Sequence, residues 1–223
     1  MKKYALIVAG GSGNRMKKSV PKQFLLLRGK PVLMHTMEIF HLYDNEIEQI
    51  LILPENQIHL WKDLCKKYNF TINHETFSGG RSRFHSVKNG LDKITGDGIV
   101  FIHDGVRPLV SVSTIRNCYQ TALEKGNALP VIQVSESIRI VSGKENQAAD
   151  RKNFYLVQTP QTFWVSSIKK AYSQDYNERF TDDASVLEST GERINLVKGN
   201  RENIKITFPT DLSIAETLLK KFN

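Results

Sequence analysis

Tyr4-Ala5-Leu6-Ile7-Val8-Ala9 runs directly into Gly10-Gly11-Ser12-Gly13-Asn14-Arg15-Met16. The first six residues carry no charge, as suits a strand covered on both faces. The glycines that follow let backbone N–H groups approach an anion closely. A buried strand feeding a glycine turn is the opening of an α/β fold, and the rest of the chain keeps that rhythm. Pro31 opens a helix with Leu33, Met37, Ile39 and Phe40 on its apolar positions. Strands are expected at 47–53, 70–73, 98–103 and 128–134, and helices at 56–68, 82–94 and 111–125. Alternation of this kind predicts an α/β architecture: three Rossmann-like layers, a mostly parallel sheet and helices on both faces.

The alternation breaks after Val134. Residues 137–141 alternate, 142–146 turn, and 153–158 form a second extended run, which predicts a projecting β-hairpin arm. Helices resume at 164–175 and 181–189, with short strands at 194–197 and 204–207. Thr210 is the expected cap of a last helix reaching Lys220, with Asp211 in its first turn. No internal repeat or linker-like stretch interrupts the chain. Residues 1–223 therefore read as a single domain, with 134–160 as its arm.

Composition narrows the function. The 223 residues are 40% hydrophobic and 24% charged, which excludes collagen-like and broadly disordered chains. Lys+Arg 31 against Asp+Glu 23 gives +8, an excess that suits an anionic partner. Cys65 and Cys118 form no CxxC pair and lie in helical stretches, so buried free thiols and a reducing cytoplasm are expected. The N-terminal apolar run is too short for a signal peptide, and none approaches the roughly 20 residues of a membrane span.

Three phosphate-binding patterns compete for the first loop. A Walker loop fails because no glycine stands in register before Lys17 or Lys18. A dinucleotide fingerprint fails because Met16 holds its third glycine position and residues 27–37 lack the acidic partner. The pattern GGxGxRM followed by Pro21-Lys22 fits nucleotidyl transfer. That reaction expels pyrophosphate from a nucleoside triphosphate, and prepositioned cations stabilise the charge that builds up. Arg15 offers a planar fork for phosphate oxygens and Lys22 a point charge. A plain turn flanked by solvated cations is the bland reading.

His103-Asp104-Gly105-Val106-Arg107-Pro108 follows another buried-type strand, where ligands of open α/β sheets bind. An Asp there can bind Mg²⁺. An Asp-Gly turn capped by its own side chain explains the same residues. His103 reads as a packing or hydrogen-bonding group.

Taken in order, the motifs resemble the 2-C-methyl-D-erythritol 4-phosphate cytidylyltransferase family. Ala9 to Met16 with Pro21-Lys22-Gln23, Gly79-Gly80-Arg81-Ser82-Arg83-Phe84-His85-Ser86-Val87, Ile102 to Pro108 and Thr159-Pro160-Gln161 carry the likeness. Thr181-Asp182-Asp183-Ala184-Ser185 and Asn203-Ile204-Lys205-Ile206 extend it over nearly the whole chain. The resemblance implies joining CTP to a sugar-alcohol phosphate, with Mg²⁺ or another divalent cation, in non-mevalonate isoprenoid precursor synthesis. Ribitol 5-phosphate is the nearest rival substrate. Asp150-Arg151 and Ile138-Arg139 favour methylerythritol phosphate.

The resemblance also implies roles. Arg15, Lys22, Arg151 and Lys205 would be catalytic. Ala9, Gly10, Gly11, Gly13, Gly80, Arg83, Ser86 and Asp104 would bind the nucleotide. Asp104, Arg107, Ser137, Arg151 and Thr159 would bind the second substrate, and Asp104 the metal. Asp182 and Asp183 read more simply as a helix cap and stay outside this set. The arm reads Ser135-Glu136-Ser137, where relatives usually carry Asp-Thr before the hydrophobic and basic pair; Ser137 keeps a hydroxyl, while Glu136 is longer.

The nucleophile in this chemistry is the substrate's own phosphate, largely ionised at pH 7 with a second pKa of about 6, so no general base is needed. A lone hairpin is marginal in water and exposes pairing edges, so a homodimer through the arm is expected. A nucleic-acid-binding module is the alternative of another class. Its basic stripe and aromatic platforms are missing from the sequence.

Overall fold

The computed structural model describes residues 1–10 and 20–220. Its centre is a mixed, mostly parallel sheet. The opening run forms β1 (Lys3–Val8), flanked in parallel by β4 (Glu48–Leu53) and β6 (Ile99–Asp104). β5 (Glu75–Ser78) continues the sheet beyond β4, also in parallel. Between β1 and β4 in the chain, the two-residue strands β2 (Leu26–Leu27) and β3 (Lys30–Pro31) pair with each other in a separate small sheet. β7 (Asn127–Gln133) carries β12 (Leu196–Lys198) in parallel and β10 (Tyr155–Val157) antiparallel. β11 (Gln161–Trp164) runs antiparallel between β6 and β7.

Helices cover both faces, as expected. α1 (Val32–Tyr43), α2 (Ile58–Lys67) and α4 (Val112–Lys125) lie on one side. There Leu33, Phe40, Trp61 and Ile115 meet Ala5, Ile7, Leu51 and Phe101 of the sheet. On the other side α3 (Arg83–Leu91) and α5 (Val165–Tyr172) bring Val87, Leu91 and Ile168 onto Leu6, Ile52, Val100 and Ile102. Alternate residues of each central strand therefore serve opposite cores, which is why those strands read as unbroken apolar runs. α3 packs so close that a Cβ on Gly90 would lie 2.4 Å from Leu6 Cδ1. α6 (Asp183–Glu188) and α7 (Pro209–Leu219) complete the chain.

Several expectations are corrected. Residues 70–73 are not a strand. Phe70 turns its ring against Trp61, centroids 5.7 Å apart, and the strand is the more polar β5. Half-exposed Thr76 and Phe77 give an edge strand little apolar signal. In the arm, β8 (Ile138–Ser142) pairs with β9 (Glu145–Ala149), not with 153–158. The later run returns to the main sheet as β10, and β11 is a strand the sequence does not announce, overlapping the expected helix at 164–175 only at Trp164. Residues 204–207 form no strand, although the Ile206 N–H donates to Val106 O at 2.9 Å. Thr210 does not cap α7. Phe208 holds the cap position, and the Asp211 carboxylate accepts from the amides of Thr207 and Phe208, both at 2.7 Å. Pro209 begins the helix, where a missing N–H costs nothing. Cys118 is a buried free thiol, but Cys65 is only partly buried.

Candidate functional site

The carboxyl ends of β1, β4, β5 and β6 converge on one edge, as parallel neighbours must, and a cleft opens there. Ala9, Gly10, Lys22, Gln23, Gly80, Arg81, Arg83, Ser86, Asp104 and Lys205 are among its lining residues. The expected residues Ala9, Gly10, Lys22, Gly80, Arg83, Ser86, Asp104 and Lys205 are thus brought together. Gly11, Gly13 and Arg15 lie outside the described residues.

Asp104 ends β6 and is 6% exposed. Its Oδ2 accepts from Arg107 Nε at 3.0 Å and meets Lys205 Nζ at 3.1 Å. Oδ1 has Arg83 Nε at 4.0 Å, beyond hydrogen-bond range. Burial alone would raise the carboxyl's pKa, but Lys205, Arg107 and Arg83 outweigh it and hold it well below the usual range. Asp104 is an anion throughout the working pH range.

A hydrogen-bond chain fixes this carboxylate from behind. The Asp104 N–H donates to Thr159 Oγ1 at 3.1 Å, and Thr159 Oγ1 meets His103 Nδ1 at 2.9 Å. His103 Nε2 meets the Arg107 carbonyl at 3.1 Å. A carbonyl can only accept, so Nε2 carries the proton and Nδ1 accepts from the Thr159 hydroxyl. Burial pushes the His103 pKa down to about 4, which keeps the ring neutral. The reading of His103 as a packing and hydrogen-bonding group holds. Its ring also stands edge-on to Phe40.

Lys205 reaches the carboxylate because its segment is pinned on both sides. Arg107 Nη1 donates to Asn203 O at 2.8 Å, and Asn203 Nδ2 donates to Thr159 O at 2.8 Å. Asn203 is wholly buried. On the opposite wall, Ser86 Oγ accepts from Gly80 N at 3.1 Å and donates to Ser82 O at 2.9 Å. Ser86 therefore does more than occupy a first helical turn: it shapes the glycine bend. A Cβ on Gly80 would lie 2.5 Å from the His85 Cβ, so only glycine fits. Lys22 is set by its neighbour Gln23, whose buried Nε2 donates to Ala9 O at 3.0 Å.

Three contributors were missed in the sequence. Gln23 belonged to a quoted motif but had no role. Asn203 likewise gains one only when β6 and residues 200–206 meet. Asp183 reads along the chain as part of a helix cap. In fact Asp182 is the cap, accepting from Ser185 N at 2.8 Å, while the fully buried Asp183 takes Arg83 Nη1 and Nη2, both at 2.6 Å. Adjacent carboxylates in a helix start gave no signal to separate them.

Ser137 and Arg151 do not line the cleft of this chain. Both are exposed beside the hairpin, and Arg151 Nη1 donates to Ser135 O at 2.6 Å.

A divalent cation is compatible with these donors. Mg²⁺ commonly takes one or two carboxylates plus substrate phosphates. Asp104 offers one carboxylate, whose Oδ1 accepts no hydrogen bond from the described residues. Among the described residues no cluster of three or more His, Cys, Asp or Glu could form an all-protein cage. Among the same residues no helix is long and apolar enough to cross a membrane.

Comparison with known proteins places these features. The model of the family described as 2-C-methyl-D-erythritol 4-phosphate cytidylyltransferase matches residues 4–221. A Phocaeicola vulgatus protein of that name is 50% identical over 219 residues, covering 98% of this chain and 100% of its own. One from Bacteroides fragilis is 50% identical over 215 residues, covering 96% and 98%. Among solved structures, the 4-diphosphocytidyl-2C-methyl-D-erythritol synthase of Anaerococcus prevotii superposes with a TM-score of 0.83 at 26% identity, covering 98% of this chain and 96% of its own. The 2-C-methyl-D-erythritol 4-phosphate cytidylyltransferase of Thermus thermophilus gives 0.80 at 27%, covering 99% and 100%.

Proposed function

We propose how this cleft works from one premise: the chain belongs to the 2-C-methyl-D-erythritol 4-phosphate cytidylyltransferase family. It is a nucleotidyltransferase that joins CTP and 2-C-methyl-D-erythritol 4-phosphate, giving CDP-methylerythritol and pyrophosphate in non-mevalonate isoprenoid precursor synthesis.

Ala9, Gly10, Gly11, Gly13, Gly80 and Ser86 bind the nucleotide, Ala9 and Gly80 as small walls that let it approach closely, since their N–H groups already donate to Ile52 O and Ser86 Oγ. Arg15 and Lys22 flank the triphosphate, where charge builds on the bridging oxygen and leaving group. Lys205 stands between the α-phosphate and the attacking phosphate. It exchanges its present partner, Asp104 Oδ2, for substrate oxygens when they arrive. Arg107 orients the second substrate, and Thr159 acts on it through Asp104, whose backbone it holds from behind. The reaction then reduces to aligning two polyanions, and such alignment is worth about 7–11 kcal/mol in well-oriented systems. Asp104 would hold the divalent cation; when bound, that ion offsets phosphate charge.

Ser137 and Arg151 serve the cleft of a second subunit. Two features support an arm-exchanged homodimer. The hairpin exposes Ile140 and Val141, and β10 exposes Tyr155, Leu156 and Val157 on both of its faces. Burying them against another copy would remove that apolar surface from water. The protein works in the cytoplasm, without nucleic acid or membrane as partner. Its motif cations serve the cleft, and the remaining surplus charge is dispersed.

The observation that carries this reading is Asp104, ringed by Lys205, Arg107 and Arg83 at the mouth of the glycine-lined cleft. Pyrophosphate release is the test. It should require CTP, a divalent cation and methylerythritol phosphate. Turnover with ribitol 5-phosphate alone would overturn the substrate assignment.

A further inference from the structure

Arg83 lines the cleft, yet its guanidinium is already committed. Asp183 takes Nη1 through Oδ1 and Nη2 through Oδ2, each at 2.6 Å, a bidentate fork. Asp183 itself cannot shift easily. It is fully buried, and Tyr172 donates its hydroxyl to Oδ1 at 2.6 Å. The Tyr172 ring is stacked on Phe84, the residue after Arg83, with centroids 4.7 Å apart. Asp182 and Gln161 fix the start of the same helix: Gln161 Nε2 donates to Asp182 Oδ2 at 2.8 Å, and Gln161 Oε1 accepts from Ala184 N at 2.7 Å. The result is a guanidinium held with only its Nε edge toward Asp104.

That edge stops short of contact, at 4.0 Å from Asp104 Oδ1. The other carboxylate oxygen is taken by Arg107 and Lys205. Among the described residues none donates a hydrogen bond to Oδ1, so it is the atom of Asp104 left for a ligand. A released guanidinium would need to move only about 1 Å to close the gap to hydrogen-bond distance. It would then hold Asp104 bidentately and occupy Oδ1.

We propose that Asp183 is a positioning residue that restrains Arg83, keeping Asp104 Oδ1 open to the divalent cation that accompanies the nucleotide. Arg83 on this view is a fixed charge beside the nucleotide, not a clamp on its phosphates. The inference rests on the reading of the cleft as the CTP site.

The test is calorimetric titration of CTP into the intact protein at a series of MgCl₂ concentrations. Wild type, Asp183→Asn and the double variant Arg83→Gln/Asp183→Asn are compared, each checked for fold by circular dichroism. Asp183→Asn should raise the Mg²⁺ concentration that half-restores CTP affinity by fivefold or more, because the freed Arg83 competes for Oδ1. Removing that guanidinium in the double variant should return the midpoint to within twofold of wild type. No shift in Asp183→Asn, or the same shift in both variants as general loosening would give, overturns the inference. If Asp183→Asn does not fold, Tyr172→Phe decides. It deletes one restraining hydrogen bond and should raise the midpoint about twofold; an unchanged midpoint counts against the proposal. Wild type that binds no CTP at any Mg²⁺ concentration would instead remove the nucleotide-site reading itself.

Discussion

The hydroxyl of Thr159 accepts the backbone N–H of Asp104 across a sequence separation of 55 residues. It thereby fixes the end of β6 from the bend between β10 and β11. The same hydroxyl satisfies His103 Nδ1. One small side chain thus closes the polar network behind the carboxylate.

Thr159→Val tests that closure. The shapes match, but Asp104 N–H and His103 Nδ1 lose their buried partner. Each unsatisfied buried group costs about 1–3 kcal/mol, so with two affected urea unfolding should show a loss of at least about 1–3 kcal/mol. A midpoint equal to wild type would mean that water or a backbone shift replaces the hydroxyl.

Lys22→Ala addresses the chemistry. Gln23 anchors this segment through Ala9 O, so the backbone at residue 22 should keep its place. Losing a preorganised donor to the transition state typically costs about 2.7–4 kcal/mol, a hundredfold to a thousandfold in turnover. A drop under threefold in steady-state pyrophosphate release would take Lys22 out of the catalytic set.

Subunit mixing tests the arm. Arg151→Ala and Lys22→Ala are each expected to be nearly inactive. If Arg151 serves the partner's cleft, a heterodimer of the two places both defects in one site and leaves the other intact. Random reassociation of equal amounts should then recover about a quarter of wild-type activity. No recovery after verified exchange would place Arg151 in its own subunit's site. Light scattering that reports a monomer at micromolar concentration would remove the exchange altogether.

His74 gives a pH dependence away from the cleft. Its Nε2 accepts from Trp61 Nε1 at 2.9 Å, and Nδ1 meets Ile72 O at 2.7 Å. Only the neutral ring can do both. Burial lowers its pKa below the usual 6.5, more than the Ile72 contact raises it. The unfolded chain therefore binds more protons than the folded one as pH falls below that value, so stability rises with pH through the window. Melting temperature should fall from pH 7 to pH 5. His74→Gln, which keeps an acceptor for Trp61, should flatten that slope; an unchanged slope would assign the dependence elsewhere.

Much of the fold is legible along the chain. β1, β4 and β6 are buried on both faces and so read as apolar runs. Ser82, Ser111 and the segment at Asp182 mark helix starts that their side chains do cap. What misled was local ambiguity. β5 is a half-exposed edge with no apolar run. β9 reads Glu145-Asn146-Gln147-Ala148-Ala149, with no strand-forming preference, and pairs because the turn at Gly143 folds it onto β8. β11 is four residues between a proline and a helix.

The sequence by itself determined the layered α/β class, the motif order and the identity of the cations available to a triphosphate. Those follow from period, glycine placement and residue chemistry, all local properties. Only the tertiary structure decided which of those groups share a charge. Arg107 reaches Asp104 from three residues along the same loop, but Lys205 and Arg83 come from distant segments and approach it because parallel strands end on one edge of the sheet. It also decided that two neighbouring aspartates differ, one capping a helix and the other buried against Arg83. Burial and partnership are set by what the fold brings near, and no spacing along the chain encodes them.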